Sequence, residues 1–215
     1  MKKWLLAPML LMCVFAAGSA YAGITIHYAG FGYEEGGFDY SAPGDTLWFI
    51  AEVTGVTTDG GYLPYEPGTY EYTMVAGPFI SNGEIVEGTY TTIVYNLGYY
   101  WIYQDAAFNA DWDEYPYVSD PPSTFLDGDL WLGGPFTDFI FYVFRDLAMG
   151  SFDGHITLSE GIAFPYLSEQ AYTFGGTLHP PHSGVDPPPG YEFYIDGETW
   201  VPVEVTTWGA VKALY

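Results

Sequence analysis

The chain has 215 residues, with 4 Lys plus Arg against 27 Asp plus Glu and a formal charge of −23. That balance excludes general nucleic-acid binding, which needs clustered Lys and Arg to neutralise phosphates, and it disfavours anionic lipid surfaces. A composition that is 49% hydrophobic and 20% aromatic excludes an intrinsically disordered chain.

Residues 1–22, MKKWLLAPMLLMCVFAAGSAYA, have the three parts of an export leader. Lys2 and Lys3 form a basic start, Leu5 to Ala17 an apolar run, and Ala20-Tyr21-Ala22 a small-x-small cleavage site. The run is shorter than the roughly 20 residues that span a bilayer, so a removed leader is expected rather than an anchor. Cys13, the only cysteine, lies inside it; lipid attachment there would want a small residue before it, and Met12 occupies that place. The expected mature protein, starting at Gly23, therefore has no thiol and is held by core burial, without disulfides. It has no second apolar run long enough for a transmembrane helix.

Beyond the leader the chain is rich in Val, Ile, Thr, Tyr, Phe and Trp, the residues that favour strands. Strands are predicted near 23–29, 46–54, 69–76, 84–95, 98–103, 128–132, 137–145, 151–158, 171–178, 190–196 and 199–206. Asn82-Gly83 is the strongest hairpin signal, because Asn-Gly readily takes the positive φ angles of a type I′ turn. Asp59-Gly60, Asp127-Gly128, Asp153-Gly154 and Asp196-Gly197 are further turn candidates. Short helical turns are expected at 104–110 and 145–149. Many short strands punctuated by turns predict an all-β fold. The expected form is a single-domain antiparallel β-sandwich, jelly-roll-like or Greek key, over 23–205, with a short helical tail at 206–215.

Two loops stand out. Residues 105–124 are acidic, and residues 179–190, HPPHSGVDPPPG, are proline-rich and expected to be extended. Asp105, Asn109, Asp111, Asp113 and Asp120 are the candidate metal ligands, since alternate oxygen donors on an extended loop suit calcium. No Gly or closing Glu completes an EF-hand, and the plainer reading is a solvated acidic loop. His179 and His182 lack the third and fourth ligands of a transition-metal site and read as surface histidines.

Tyr100, Trp101, Tyr103, Trp112 and Tyr115 are the candidate ligand-binding residues, because rings beside carboxylates can stack on sugars while the acids take hydroxyls. The competing reading places these rings in the sheet core or as cross-strand pairs. No G-x-S-x-G, H-E-x-x-H, Walker or dinucleotide motif occurs, and nothing singles out one carboxylate pair for catalysis.

The tail TTWGAVKALY at 206–215 resembles the T-W-G-x-[IV]-K-[AS]-L-[FY] ending of many uncharacterised exported bacterial proteins. IYQDAAFNADW at 102–112 and AYTFGGT at 171–177 are similar to pieces of one such group. Many of those tails continue with Arg, whereas Tyr215 is the last residue here. The resemblance implies export and a sorting or attachment tail, and it implies no reaction.

The expected function is therefore an exported structural, adhesive or ligand-binding protein, extracellular, on the cell surface or in the periplasm. Its partner would be a glycan or a surface protein, with structural calcium in the acidic loop. The alternatives are a carbohydrate-binding or carbohydrate-active protein and a small outer-membrane β-barrel. The last fits the terminal aromatic residue and the length, but charges such as Glu71, Glu87 and Asp138 interrupt its lipid-facing bands.

Overall fold

The computed structural model describes residues 22–37, 40–58, 62–114, 120–144, 146, 149–167, 171–179 and 186–203, with the side chains of 22 and 201–203 left aside. The leader through residue 21 and the tail from residue 204 lie outside the described residues. Nine strands carry the fold: β1 (Ala22–Glu34), β2 (Thr46–Thr58), β3 (Glu71–Glu87), β4 (Tyr90–Asn96), β5 (Tyr99–Asp105), β6 (Asp129–Phe144), β7 (Met149–Thr157), β8 (Ala171–His179) and β9 (Phe193–Val203). Most strands alternate as a half-buried sheet should. In β1, Ile24, Ile26 and Tyr28 are buried while Thr25, His27 and Ala29 between them are not.

The expected sandwich is corrected by the pairing. All pairings are antiparallel between neighbours along the chain, except that β4 and β5 each pair with β3 and β6 and not with one another, and β9 returns to β1 with Ile24 opposite Val201 and Gly32 opposite Phe193. The sheet closes on itself as an up-and-down barrel. β4 and β5 together fill one row between the long strands β3 and β6. They are separated only at Leu97 and Gly98, whose φ angles of 60° and 112° kink that row. Closure makes eight rows from nine strands. A sandwich and a barrel share the same alternating strands, and the non-local pairing of the first strand with the last distinguishes them.

Several turn signals also resolve differently. Asn82-Gly83 lies inside β3 as a bulge between Ser81 and Glu84, with Gly83 at φ 90°; the chain reverses instead at Gly88-Thr89. Asp153-Gly154 and Asp196-Gly197 are mid-strand, in β7 and β9.

The reason lies in the lumen, which is packed with rings. Phe49 sits 4.9–6.2 Å, centroid to centroid, from Phe79, Phe139, Phe141, Phe152, Phe174 and Phe193. An eight-stranded barrel has room for side chains and little else, so a ring on one wall needs a small residue on another. A Cβ at Gly154 would stand 2.9 Å from the Phe139 ring, and one at Gly197 would stand 2.7 Å from the Tyr28 hydroxyl. Each buried ring contributes on the order of 2 kcal/mol to stability.

Outside, the wall has two characters. Over β1, β2, β3 and β5 it is covered: Tyr33, Trp48, Ile50 and Val75 are buried beneath Phe125 and Tyr191, with Trp112 partly buried against them. The loop after β5 and the segment before β9 thus fold back as a second, smaller apolar layer. Over β6 to β9 the wall is bare, with Asp138, Asp153, His155, Thr177, Asp196 and Glu198 exposed beside Tyr142, Met149 and Trp200.

Candidate functional site

The bare wall carries a groove of about 440 Å³ across β7, β8 and β9. Its cause is a gap in an outward row of side chains. Asp153, Gly175, Glu198 and His27 are successive partners across β7, β8, β9 and β1, so Gly175 leaves an empty place between two acids. Adjacent strands lie roughly 4.8 Å apart, which puts Asp153 and Glu198 on walls about 10 Å from each other. Thr173 and Thr177 flank Gly175 on β8, and Asp196 and Trp200 flank Glu198 on β9.

Trp200 forms the end wall and is 46% exposed, one of several exposed rings that include Tyr62, Tyr99 and Phe108. Its indole leans over β1, where a Cβ on Gly23 would lie 3.0 Å from Nε1. The floor is braced from within the barrel: the Tyr28 hydroxyl donates to the Gly175 carbonyl at 3.1 Å. His27 stands beside the groove, with Nδ1 3.7 Å from Glu198 Oε2. On the far side, His155 Nδ1 lies 2.9 Å from Asp138 Oδ1, and that hydrogen bond raises the imidazole pKa. The groove offers an indole face, hydroxyls and acceptor oxygens. Asp153 and Glu198 are both exposed, so neither is held against apolar surface as a general acid would be. The arrangement suits binding better than hydrolysis.

The residues predicted from sequence do not converge here. Tyr100 points into the lumen, fully buried, and its oxygen accepts a 3.0 Å hydrogen bond from the Thr199 hydroxyl; burial pushes its pKa far up. Trp101 and Tyr103 alternate with it onto the outer wall, where Trp101 stacks on Tyr99 at 5.2 Å. Trp112 meets Phe31 and Phe125 edge-on at 5.1 and 4.6 Å, and its Nε1 donates to Glu52 Oε1 at 2.9 Å. It thereby pins the acidic loop to the barrel. Tyr115 lies outside the described residues.

Of the five candidate metal ligands, the side chains of Asp105, Asn109 and Asp111 are engaged locally, and Asp113 and Asp120 take part through their backbone. Asp105 Oδ1 accepts the Ala107 N–H at 3.0 Å, and Asp111 Oδ1 accepts the Asp113 N–H at 2.9 Å, both as turns closed by the side chain. Asn109 donates to Asp127 at 2.9 Å, and the Asp120 carbonyl accepts from Tyr33 at 3.4 Å. Among the described residues no three His, Cys, Asp or Glu side chains form a group that could hold a metal. Glu114 accepts the Ser123 N–H at 3.0 Å and the Thr124 N–H, which lowers its pKa and closes the loop.

A second polar centre sits where β1 ends. Glu34 is only 6% exposed. Its Oε1 accepts from the Ser41 hydroxyl and, at 3.1 Å, from Tyr95. Ser81 Oγ lies 2.7 Å from Ser41 Oγ, and Glu84 Oε1 accepts the Ser41 N–H at 2.8 Å. Burial raises the Glu34 pKa to about 7, opposed by the Ser41 and Tyr95 hydrogen bonds and reinforced by Asp45 and Glu192. This network fastens residues 40–45 to the barrel mouth.

The groove residues were legible only as periodicity: Thr173-x-Gly175-x-Thr177 and Asp196-x-Glu198-x-Trp200 are outward sets of period two. No protein-family model matches the chain, and no curated protein or solved structure matches it at a significant level.

Proposed function

We propose that this protein is an exported, water-surrounded barrel that binds a saccharide on its outer wall without transforming it. The observation that carries this reading is the exposed Trp200 ring at the end of a glycine-floored groove lined by Asp153, Asp196, Glu198, Thr173 and Thr177. An apolar face with a few convergent polar groups is the usual composition of such a site. Export is supported by the leader-like residues 1–22. A glycan array probed with residues 23–215 tests it, followed by titration of any hit against Trp200→Ala and Gly175→Val. Gly175 has open space outside it, with nothing nearer than 3.4 Å to an added Cβ, so valine fills the groove without disturbing the strand. Loss of binding in both variants is expected; full binding in either would refute the site.

A barrel in an outer membrane is the second reading, and strand closure favours it. The charge placement supports the first instead: a lipid-embedded barrel presents a continuous apolar band outward, whereas here Asp138, Asp153, Asp196 and Glu198 stand exposed among outward apolar residues such as Tyr142, Met149 and Trp200. A protein that stays monodisperse without detergent would favour the water-surrounded form.

A further inference from the structure

We infer that the groove selects saccharides bearing a free ammonium group, an inference that rests on the saccharide reading above. Two separate features of the groove point to the same charge. The first is the indole: the face of an aromatic ring is its electron-rich side and attracts a cation placed over it, with tryptophan the most effective. Trp200 is the only ring among the described residues that line the groove, and almost half of its surface is open. The second is the lining. Asp153 and Glu198 face each other across Gly175, and Asp196 lies two residues before Glu198 on the same outward face. Among the described residues no Lys or Arg lines the groove. Gly175 matters because it removes the side chain that would otherwise hold a ligand amine away from both walls.

The surrounding field has the same sign. With 27 acids to 4 bases in the whole sequence, the protein attracts cations and repels anions. Uronic acids and sulfated sugars would meet carboxylates without a counter-charge. A neutral sugar would keep the stacking and donate hydroxyls to the acids but gain no attraction between opposite charges. An amino sugar gains both. His27, His155 and His179 stand at the rim, the first near Glu198, the second paired with Asp138 and the third 3.3 Å from the Thr177 hydroxyl.

The test is calorimetric titration of residues 23–215 with three probes: a β-1,4-linked glucosamine tetramer, its N-acetylated counterpart and a galacturonic acid tetramer. The pH is chosen to keep the amines protonated. The free-amine tetramer should bind about tenfold more tightly than the acetylated one at low salt, the combined size of one cation–π contact and one or two exposed ion pairs. That advantage should shrink as salt rises. Asp153→Asn with Glu198→Gln should erase the preference, weakening the free-amine tetramer by about tenfold more than the acetylated one. Glu35→Gln with Asp129→Asn, which removes two exposed acids remote from the groove, should preserve it. Equal or tighter binding of the acetylated or acidic tetramer overturns the inference while sparing the saccharide reading. So does a preference that survives the groove variant or vanishes equally in the remote one. Binding of no saccharide by the native protein overturns both. Circular-dichroism melts of each variant verify that the barrel is intact.

Discussion

Glutamate 34 gives the sharpest quantitative expectation. Its folded pKa of about 7 lies above the ordinary value of 4.5 because burial penalises the charged form. Between those values the folded protein keeps the proton and the unfolded chain releases it. Protons therefore favour the fold, and stability must fall as pH rises through this window, then level off above it. Each unit of displacement is worth about 1.4 kcal/mol, so ionising Glu34 removes on the order of 3 kcal/mol. Its near-complete burial means that solvent screening takes little from that figure. Glu34→Gln removes the ionisation while its amide oxygen can still accept from Ser41 and Tyr95. At about pH 8 the variant should be more stable by up to roughly 3 kcal/mol, which for a chain of this size is a melting point about 6–12 °C higher. At about pH 4 the two proteins should agree to within about 1 kcal/mol, the value of a single altered hydrogen bond. Urea unfolding followed by tryptophan fluorescence at several pH values gives the difference directly, and the many other acids cancel in it. Parallel stability curves for the two proteins across the window would refute the reasoning.

Four further outcomes follow from the packing. Tyr191→Phe should leave stability unchanged or raise it by about 1 kcal/mol in denaturant titration, because the buried Tyr191 hydroxyl has no hydrogen-bond partner among the described residues. Gly197→Ala should cost about 1–3 kcal/mol and weaken groove binding, since its Cβ would press on the Tyr28 hydroxyl that braces the Gly175 carbonyl. Phe49→Ala, which empties the centre of the lumen, should cost about 3–5 kcal/mol in the same assay. Trp112→Ala should raise amide exchange across 106–114 while β6 and β7 stay protected, because the loop's outer layer would lose the ring that joins Phe31, Phe125 and Glu52.

The sequence by itself determined which stretches form strands. Side-chain shape and a period of two are local properties, so runs such as 98–103 and 171–178 reappear nearly unchanged as β5 and β8, while 46–54 begins where β2 begins and stops four residues early. It also determined the parity within each strand, by which Tyr100 goes inward if Trp101 goes outward. What it did not determine was partnership. Residues 128–132 and 137–145 read as two strands because Gly133-Gly134-Pro135 looks like a break, yet β6 runs straight through. Glycine is required there because neighbouring strands come close: a Cβ at Gly133 would stand 3.0 Å from Trp101, and one at Gly134 would strike the Thr157 carbonyl. A glycine imposed by a distant neighbour looks the same in sequence as a glycine that makes a turn, which is why Asp153-Gly154 and Asp196-Gly197 misled. The groove depends on tertiary structure in the same way. Asp153, Gly175 and Glu198 are separated by more than twenty residues at each step, and only the pairing of three strands in one register sets them side by side. Closure of the barrel is the same kind of fact, since the contact between β1 and β9 joins the two ends of the described chain, and no local preference encodes it.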